Sequence, residues 1–232
     1  MHTPRDPKAM AKNLRQALAE RRIEITHSDS LECVARQFGW RDWNTLAAQL
    51  DRPPLRLPEG WNIGGSRSDD YEMGFDPKES CALIRYSVAY AEPIPGHRGS
   101  GFGTLMQNFR ADAYLGKRLQ LQAELKAEAV TGAATIWLRV DGDKTRALAF
   151  DNMEGRASEG PLTGTVDWQG RSIVLDVPSD ARSIHFGFYL RGGGSVWARR
   201  FRFAEVDASV DVTDDLTPRR VAPMNLDFAA VA

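Results

Sequence analysis

The chain has 232 residues, of which 42% are hydrophobic and 26% charged, the proportions of a globular protein and not of a disordered, collagen-like or membrane-embedded one. Lys and Arg number 30 against 31 Asp and Glu, a net charge of −1, so no global field draws the chain to nucleic acid or repels it. The N-terminus, Met1 to Lys12, lacks the apolar run of a secretory signal, and no stretch reaches the length of a membrane span. A cytoplasmic location without a membrane partner is expected. The two cysteines, Cys33 and Cys81, form neither a disulfide framework nor a metal quartet and are expected as buried thiols.

Charge and period both change near Asp51-Arg52-Pro53-Pro54. Residues 1–57 hold 10 Lys or Arg against 7 Asp or Glu, a net of +3, while the remainder holds 20 against 24, a net of −4. The first part repeats apolar residues at helical spacing. Met10, Leu14, Ala17 and Leu18 stack on one stripe of a helix from about Pro7 to Arg22. Asp29, followed three residues later by Glu32, has the form of a capping box for a second helix that buries Leu31, Val34, Ala35 and Phe38 and stops at Gly39. Asp42 can cap a third, in which Trp43, Leu46, Ala47 and Leu50 recur. The expected organisation is a helical module over 1–52, a Pro-rich linker over 53–59, a β domain over 60–206 and a polar tail over 207–232, whose Leu226, Phe228 and Val231 could dock.

The second part alternates in twos. Leu119, Leu121, Ala123 and Leu125 are interleaved with Gln120, Gln122, Glu124 and Lys126, the pattern of a strand with one wet face. Ile136, Leu138 and Val140 alternate with Trp137 and Arg139, and Ile184, Phe186, Phe188 and Leu190 with His185, Gly187 and Tyr189. Further strands are expected over 82–88, 105–109, 173–177 and 196–203. The fold class is therefore α+β, mainly β: a small N-terminal three-helix module followed by a two-sheet antiparallel jelly-roll β-sandwich.

The stretch "ITHSDSLECVARQFGWRDWNTLAAQL", residues 25–50, resembles a small helical module of bacterial glyoxalase-superfamily proteins. Glyoxalase activity does not follow, because the four histidines, His2, His27, His97 and His185, lack the spacing of its metal-binding set. Residues 60–206, through "GFGTLMQNFRADAYLGKRLQLQAELKAEAVTGAATIWLRVDGD", "TVDWQGRSIVLDVPSDARSIHFGFYLRGGGSVW" and "FRFAEVD", are similar to a galactose-binding-like jelly-roll domain of bacterial AraC-type regulators and to carbohydrate-binding modules. That resemblance implies a binding fold. In such modules carboxylates near the positions of Arg199 and Arg200 help hold calcium, and two guanidinium groups there repel the ion.

Trp137, Arg139, His185 and Tyr189 all project from the wet sides of their strands, and if the strands share a sheet they form a platform suited to a sugar ring. The competing reading has that face covered, with Trp137 buried. Asp151 and Asn152 could stand at the rim, or cap a turn. Asp141-Gly142-Asp143 reads as a hairpin turn, and Gly192-Gly193-Gly194-Ser195 as a flexible hairpin between strands. The loop 93–98 reads as mobile surface. No nucleophile stands beside a base in a recognisable motif, so no catalysis, metal or cofactor is expected. The function expected is that of a non-catalytic binding protein for a small ligand of carbohydrate type or a protein partner. The alternative, less favoured, is a DNA-associated regulator in which Ala35 and Gly39 build a helix-turn-helix and Arg36 and Arg41 meet phosphates.

Overall fold

The computed structural model describes residues 6–38, 40–50, 54–87, 101–156 and 158–213. The helix stop at Gly39, residue 53 of the linker, the loop 93–98 and the tail from 214 onward lie outside them.

Three helices come first. In α1, Pro7–Ala19, Asp6 Oδ1 accepts from the Lys8 amide at 2.9 Å, and Pro7 takes a first-turn position where a missing N–H costs nothing. The helix stops before Arg22, which turns to a φ of 61°. The Arg22 and Ile23 amides then bond the Ala19 and Leu18 carbonyls at 2.9 and 3.0 Å, a Schellman closure that satisfies the last carbonyls. In α2, His27–Gln37, the cap is Thr26 and not Asp29: Thr26 Oγ1 accepts from the Asp29 amide at 3.0 Å, while Asp29 is the reciprocal partner three residues on. In α3, Trp43–Leu50, Asp42 Oδ1 accepts from the Thr45 hydroxyl at 2.7 Å and amide at 2.8 Å, bonds that hold its carboxyl down to about 2. Glu32 of α2 accepts from the Trp43 amide at 3.2 Å, tying the two helices, and Ala11, Val34, Ala35 and Leu46 are buried. Cys33, expected inside, is exposed; Cys81 is buried, and burial pushes its thiol up to about 11.

Among the described residues nine antiparallel strands follow: β1 Asn62–Gly64, β2 Tyr71–Asp76, β3 Cys81–Tyr86, β4 Phe102–Arg110, β5 Arg118–Asp141, β6 Ala147–Asp151, β7 Leu162–Asp176, β8 Ser183–Arg191 and β9 Ser195–Val206. The pair of sheets expected from the alternation is joined into one, in the order β1-β4-β8-β5-β9-β3-β2, with β6 and β7 also on β5. Its spine is the 24-residue β5. Residues 118–128 of β5 pair with β9, and residues 133–141 with β8. Between them Ala129 takes a φ of 51°, and register shifts against β7 move the buried positions from odd numbers (Leu119, Leu121, Leu125) to even ones (Ile136, Leu138, Val140). Both halves thereby face one core.

The rings of β8 meet those of β9 across that core, with Phe186 and Phe203 centroids 4.9 Å apart at 90°. Burying each such side chain contributes about 1.5–3 kcal/mol.

The glycines at 192–194 do not make a hairpin. Because β8 and β9 both run antiparallel to β5, the chain continues along one edge of β5 and only kinks at its bend. Gly194, at a φ of 100°, would carry a Cβ 2.5 Å from the Ala129 carbonyl, and Thr131 Oγ1 accepts from the Gly193 amide at 2.8 Å. That contact pins the kink to the bend. In the linker the Arg56 carbonyl accepts from the Phe75 amide of β2 at 2.8 Å, and in the tail Thr213 Oγ1 accepts from the Val174 amide of β7 at 2.9 Å.

Candidate functional site

Because Ile136, Leu138 and Val140 take the core, Trp137 and Arg139 must stand on the outer face of β5, and the same alternation puts His185 and Tyr189 on the outer face of β8. The register then joins them. Arg139 lies opposite His185, Trp137 opposite Gly187 and Thr135 opposite Tyr189. On the far side of β8, β4 brings Thr104 and Met106 alongside; on the other edge of β5, β6 places Phe150 opposite Arg139. Together these strands floor a groove of about 520 Å³ lined by Phe102, Trp137, Arg139, Phe150, Asn152 and Tyr189 among others.

Trp137 is anchored, half-buried, by a bond that spans two strands. Its Nε1 donates to Thr104 Oγ1 at 3.0 Å, and Thr104, itself buried, donates to the Phe188 carbonyl at 2.8 Å. Strands two apart are roughly 10 Å apart, so the indole must reach across β8, and it does so at the level of Gly187, which has no side chain. A Cβ at Gly187 would also lie 2.2 Å from the Leu105 carbonyl, so β4 could not pack as it does.

Tyr189 is buried, its ring 5.4 Å from that of Phe102 and its hydroxyl donating to Glu154, which also pairs with Arg191 at 2.9 Å. Glu154 thus reaches from the loop after β6 to β8. Of the four platform residues His185 alone is turned aside: its Nε2 lies 2.9 Å from Ser183 Oγ and 3.4 Å from Asp141 Oδ2. Asp141, read from the sequence as a turn residue, is buried and also accepts from Arg139 Nη2 at 2.6 Å. Asp151, read from the sequence as a rim residue or a turn cap, lies buried at the end of β6, paired with Arg156 and accepting from the Met153 amide at 2.6 Å as a turn cap does; its neighbour Asn152 lines the groove.

Burial holds the His185 imidazole below its ordinary pKa near 6.5, with Asp141 opposing. The folded state then binds fewer protons than the unfolded one, so stability contributed by neutral His185 is present above about pH 6.5 and is lost as pH falls through the lowered folded value. Melting temperature should therefore fall more steeply between pH 7 and 5 in the wild-type protein than in His185→Gln; parallel profiles would refute this.

The residues that hold the candidate platform and that the alternation did not disclose are Thr104, Asp141 and Glu154. Thr104 could have been found as a polar residue in an apolar run, whereas Glu154 sits in a loop without period. Arg36 and Arg41 are exposed, and Arg41 Nε pairs with Asp42 at 2.8 Å. Among the described residues no three His, Cys, Asp or Glu side chains converge as a metal set, and no helix is long and apolar enough to cross a membrane.

Residues 1–73 match the family model described as "Glyoxalase superfamily protein". A protein of Bacillus subtilis (strain 168), named as the uncharacterized HTH-type transcriptional regulator YbfP, is 40% identical over 172 residues, which are 73% of this chain and 56% of that protein. The chain thus spans little more than half the length of that relative. Among solved structures, the enzymatically active domain of bacteriophage CBA120 tailspike protein 4 aligns over 64% of this chain and 20% of its own, at 15% identity and a TM-score of 0.44. A structure described as CBM4 aligns over 67% of this chain and 93% of its own, at 14% and 0.43. The CBM22-1 xylan-binding domain of Paenibacillus barcinonensis Xyn10C aligns over 67% and 91%, at 8% and 0.41.

Proposed function

We propose that the groove over β5 and β8 binds a small uncharged polyhydroxylated ligand of carbohydrate type and performs no chemistry on it, in a cytoplasmic protein with a jelly-roll-type binding domain. The observation that carries this reading is the aromatic floor: Trp137, held by Thr104, beside Phe102, Phe150 and Tyr189. Such a surface takes the CH face of a sugar ring. Its charged groups are already matched, Arg139 with Asp141 and Arg191 with Glu154. A net ionic ligand would have to displace a carboxylate, whereas hydroxyl groups can both donate to and accept from such pairs. Calorimetric titration and array screening with neutral oligosaccharides test the reading: saturable binding lost in Trp137→Ala is expected, and no retained glycan, or retention indifferent to that change, counts against it.

The Bacillus relative favours a second reading, in which α2 and α3 meet DNA and the β domain senses the ligand. Arg36 and Arg41 are the groups available for phosphate contact. If this holds, duplex DNA binding should fall steeply with salt and disappear when both are changed to Glu. Binding that is absent, or insensitive to both, removes the regulator reading.

A further inference from the structure

The N-terminal half of β5 carries a second hollow with the opposite electrostatics. On its outer face Gln122 is flanked by Ser172 of β7 and Arg202 of β9, and Glu124 by Gly170 of β7 and Arg199 of β9. Between those two rows β9 fits one extra residue, Arg200, at a φ of 57°. Arginine seldom adopts this conformation, and the bulge it makes aims two successive guanidinium groups at one carboxylate. Arg199 Nε and Arg200 Nη1 each lie 2.8 Å from Glu124. Arg199 is also stacked on Trp168, 3.8 Å from its ring centroid.

The cations outnumber the anions. Arg202 Nε donates to the neutral Gln122 Oε1 at 2.6 Å, and Arg171 donates to the Gly160 and Gly170 carbonyls and to Gln169. Neither has a carboxylate at ion-pair distance among the described residues. Three arginines, Arg171, Arg200 and Arg202, therefore line the hollow with Glu124 and Glu159, a local surplus of one positive charge. The space between them is open. A Cβ on Gly170 would meet nothing within 4 Å, and the hollow measures about 350 Å³. Ser172, whose Oγ accepts from Gln120 Nε2 at 2.9 Å, keeps its own proton to donate.

We propose that this hollow is a binding site for a phosphate-bearing small molecule, its phosphoryl oxygens accepting from Arg200, Arg202 and Ser172 over the bare backbone of Gly170. Planar guanidinium forks match phosphoryl geometry, and an anion relieves the mutual repulsion of cations held together by the fold. The site is separate from the aromatic groove and does not depend on what that groove binds.

Calorimetry with pyrophosphate, in parallel with glucuronate, tests it on the full chain. One saturable site for pyrophosphate, weakened by added salt, is expected, with at least a tenfold loss in Arg202→Gln. Gly170→Val should abolish binding without lowering the melting temperature, because the added Cβ meets nothing within 4 Å and valine suits a strand better than glycine. Trp137→Ala should leave pyrophosphate binding intact. The proposal is overturned by absence of saturable heat, by binding that survives both variants, or by glucuronate binding more tightly than pyrophosphate.

Discussion

Arg156→Leu is expected to destabilise the protein by about 3–5 kcal/mol, because it strips the partner from a fully buried carboxylate. Asp151 is 0% exposed; it accepts from Arg156 Nη2 and, through Oδ1, from the Met153 amide at 2.6 Å. Arg156 Nη1 also donates to the Ser172 carbonyl at 2.8 Å, so the same guanidinium ties the loop after β6 to β7. Without it the carboxylate of Asp151 is left buried with no cation beside it. Urea unfolding at pH 7 reads the loss. Adding Asp151→Asn to Arg156→Leu should recover part of the loss, since the buried charge is then gone. A single-variant loss below about 1 kcal/mol would show that Asp151 is solvated after all. Because Glu154 sits on the same loop, the loosened variant should also weaken ligand binding in the groove.

The second large effect concerns Trp137→Ala. Were Trp137 an exposed platform residue, the change would remove binding and leave the melting temperature nearly untouched. The structure alters the second half of that expectation. A half-buried indole that reaches across β8 to Thr104 contributes apolar burial and a hydrogen bond, so truncation should cost about 2 kcal/mol and abolish neutral glycan binding. Trp137→Phe separates the terms: it keeps an aromatic face and gives up the bond, at about 1 kcal/mol. Thr104 stays satisfied through its own donation to Phe188. Weakened but measurable glycan binding is then expected. Unchanged stability together with unchanged binding in Trp137→Ala would remove Trp137 from both roles.

Much of this architecture was legible because the relevant signals are local. The helical stripe, the Asp42 cap and the alternation in β5 and β8 each depend on residues within one or two turns or pleats of one another. The misreadings cluster where a long-range partner overrode a local pattern. Residues 118–126 and 136–140 look like two strands because alternation fails between them, yet β7, β8 and β9 carry the ladder past the bend of a single β5. The glycines at 192–194 look like a hairpin, since sequence has no means of saying that the strands on either side pair with a third. Asp151 does cap a turn, through the Met153 amide, and what the turn pattern leaves unsaid is that it and Asp141 are buried anions paired with arginines close in sequence, Arg156 and Arg139.

Side-chain order by itself determined which residues leave the core: Trp137, Arg139, His185 and Tyr189 had to face outward once their apolar neighbours turned inward, since the pleat allows only two directions. It also determined that the N-terminal part of the described residues holds helices and the part after the prolines mainly strands. Only the tertiary structure decided that β5 and β8 lie side by side in a register setting Arg139 against His185, that His185 is drawn to Asp141, and that the bulge at Arg200 gathers a second, cationic hollow. Strand neighbours and register come from pairings between segments tens of residues apart, and their energies depend on the whole core closing at once.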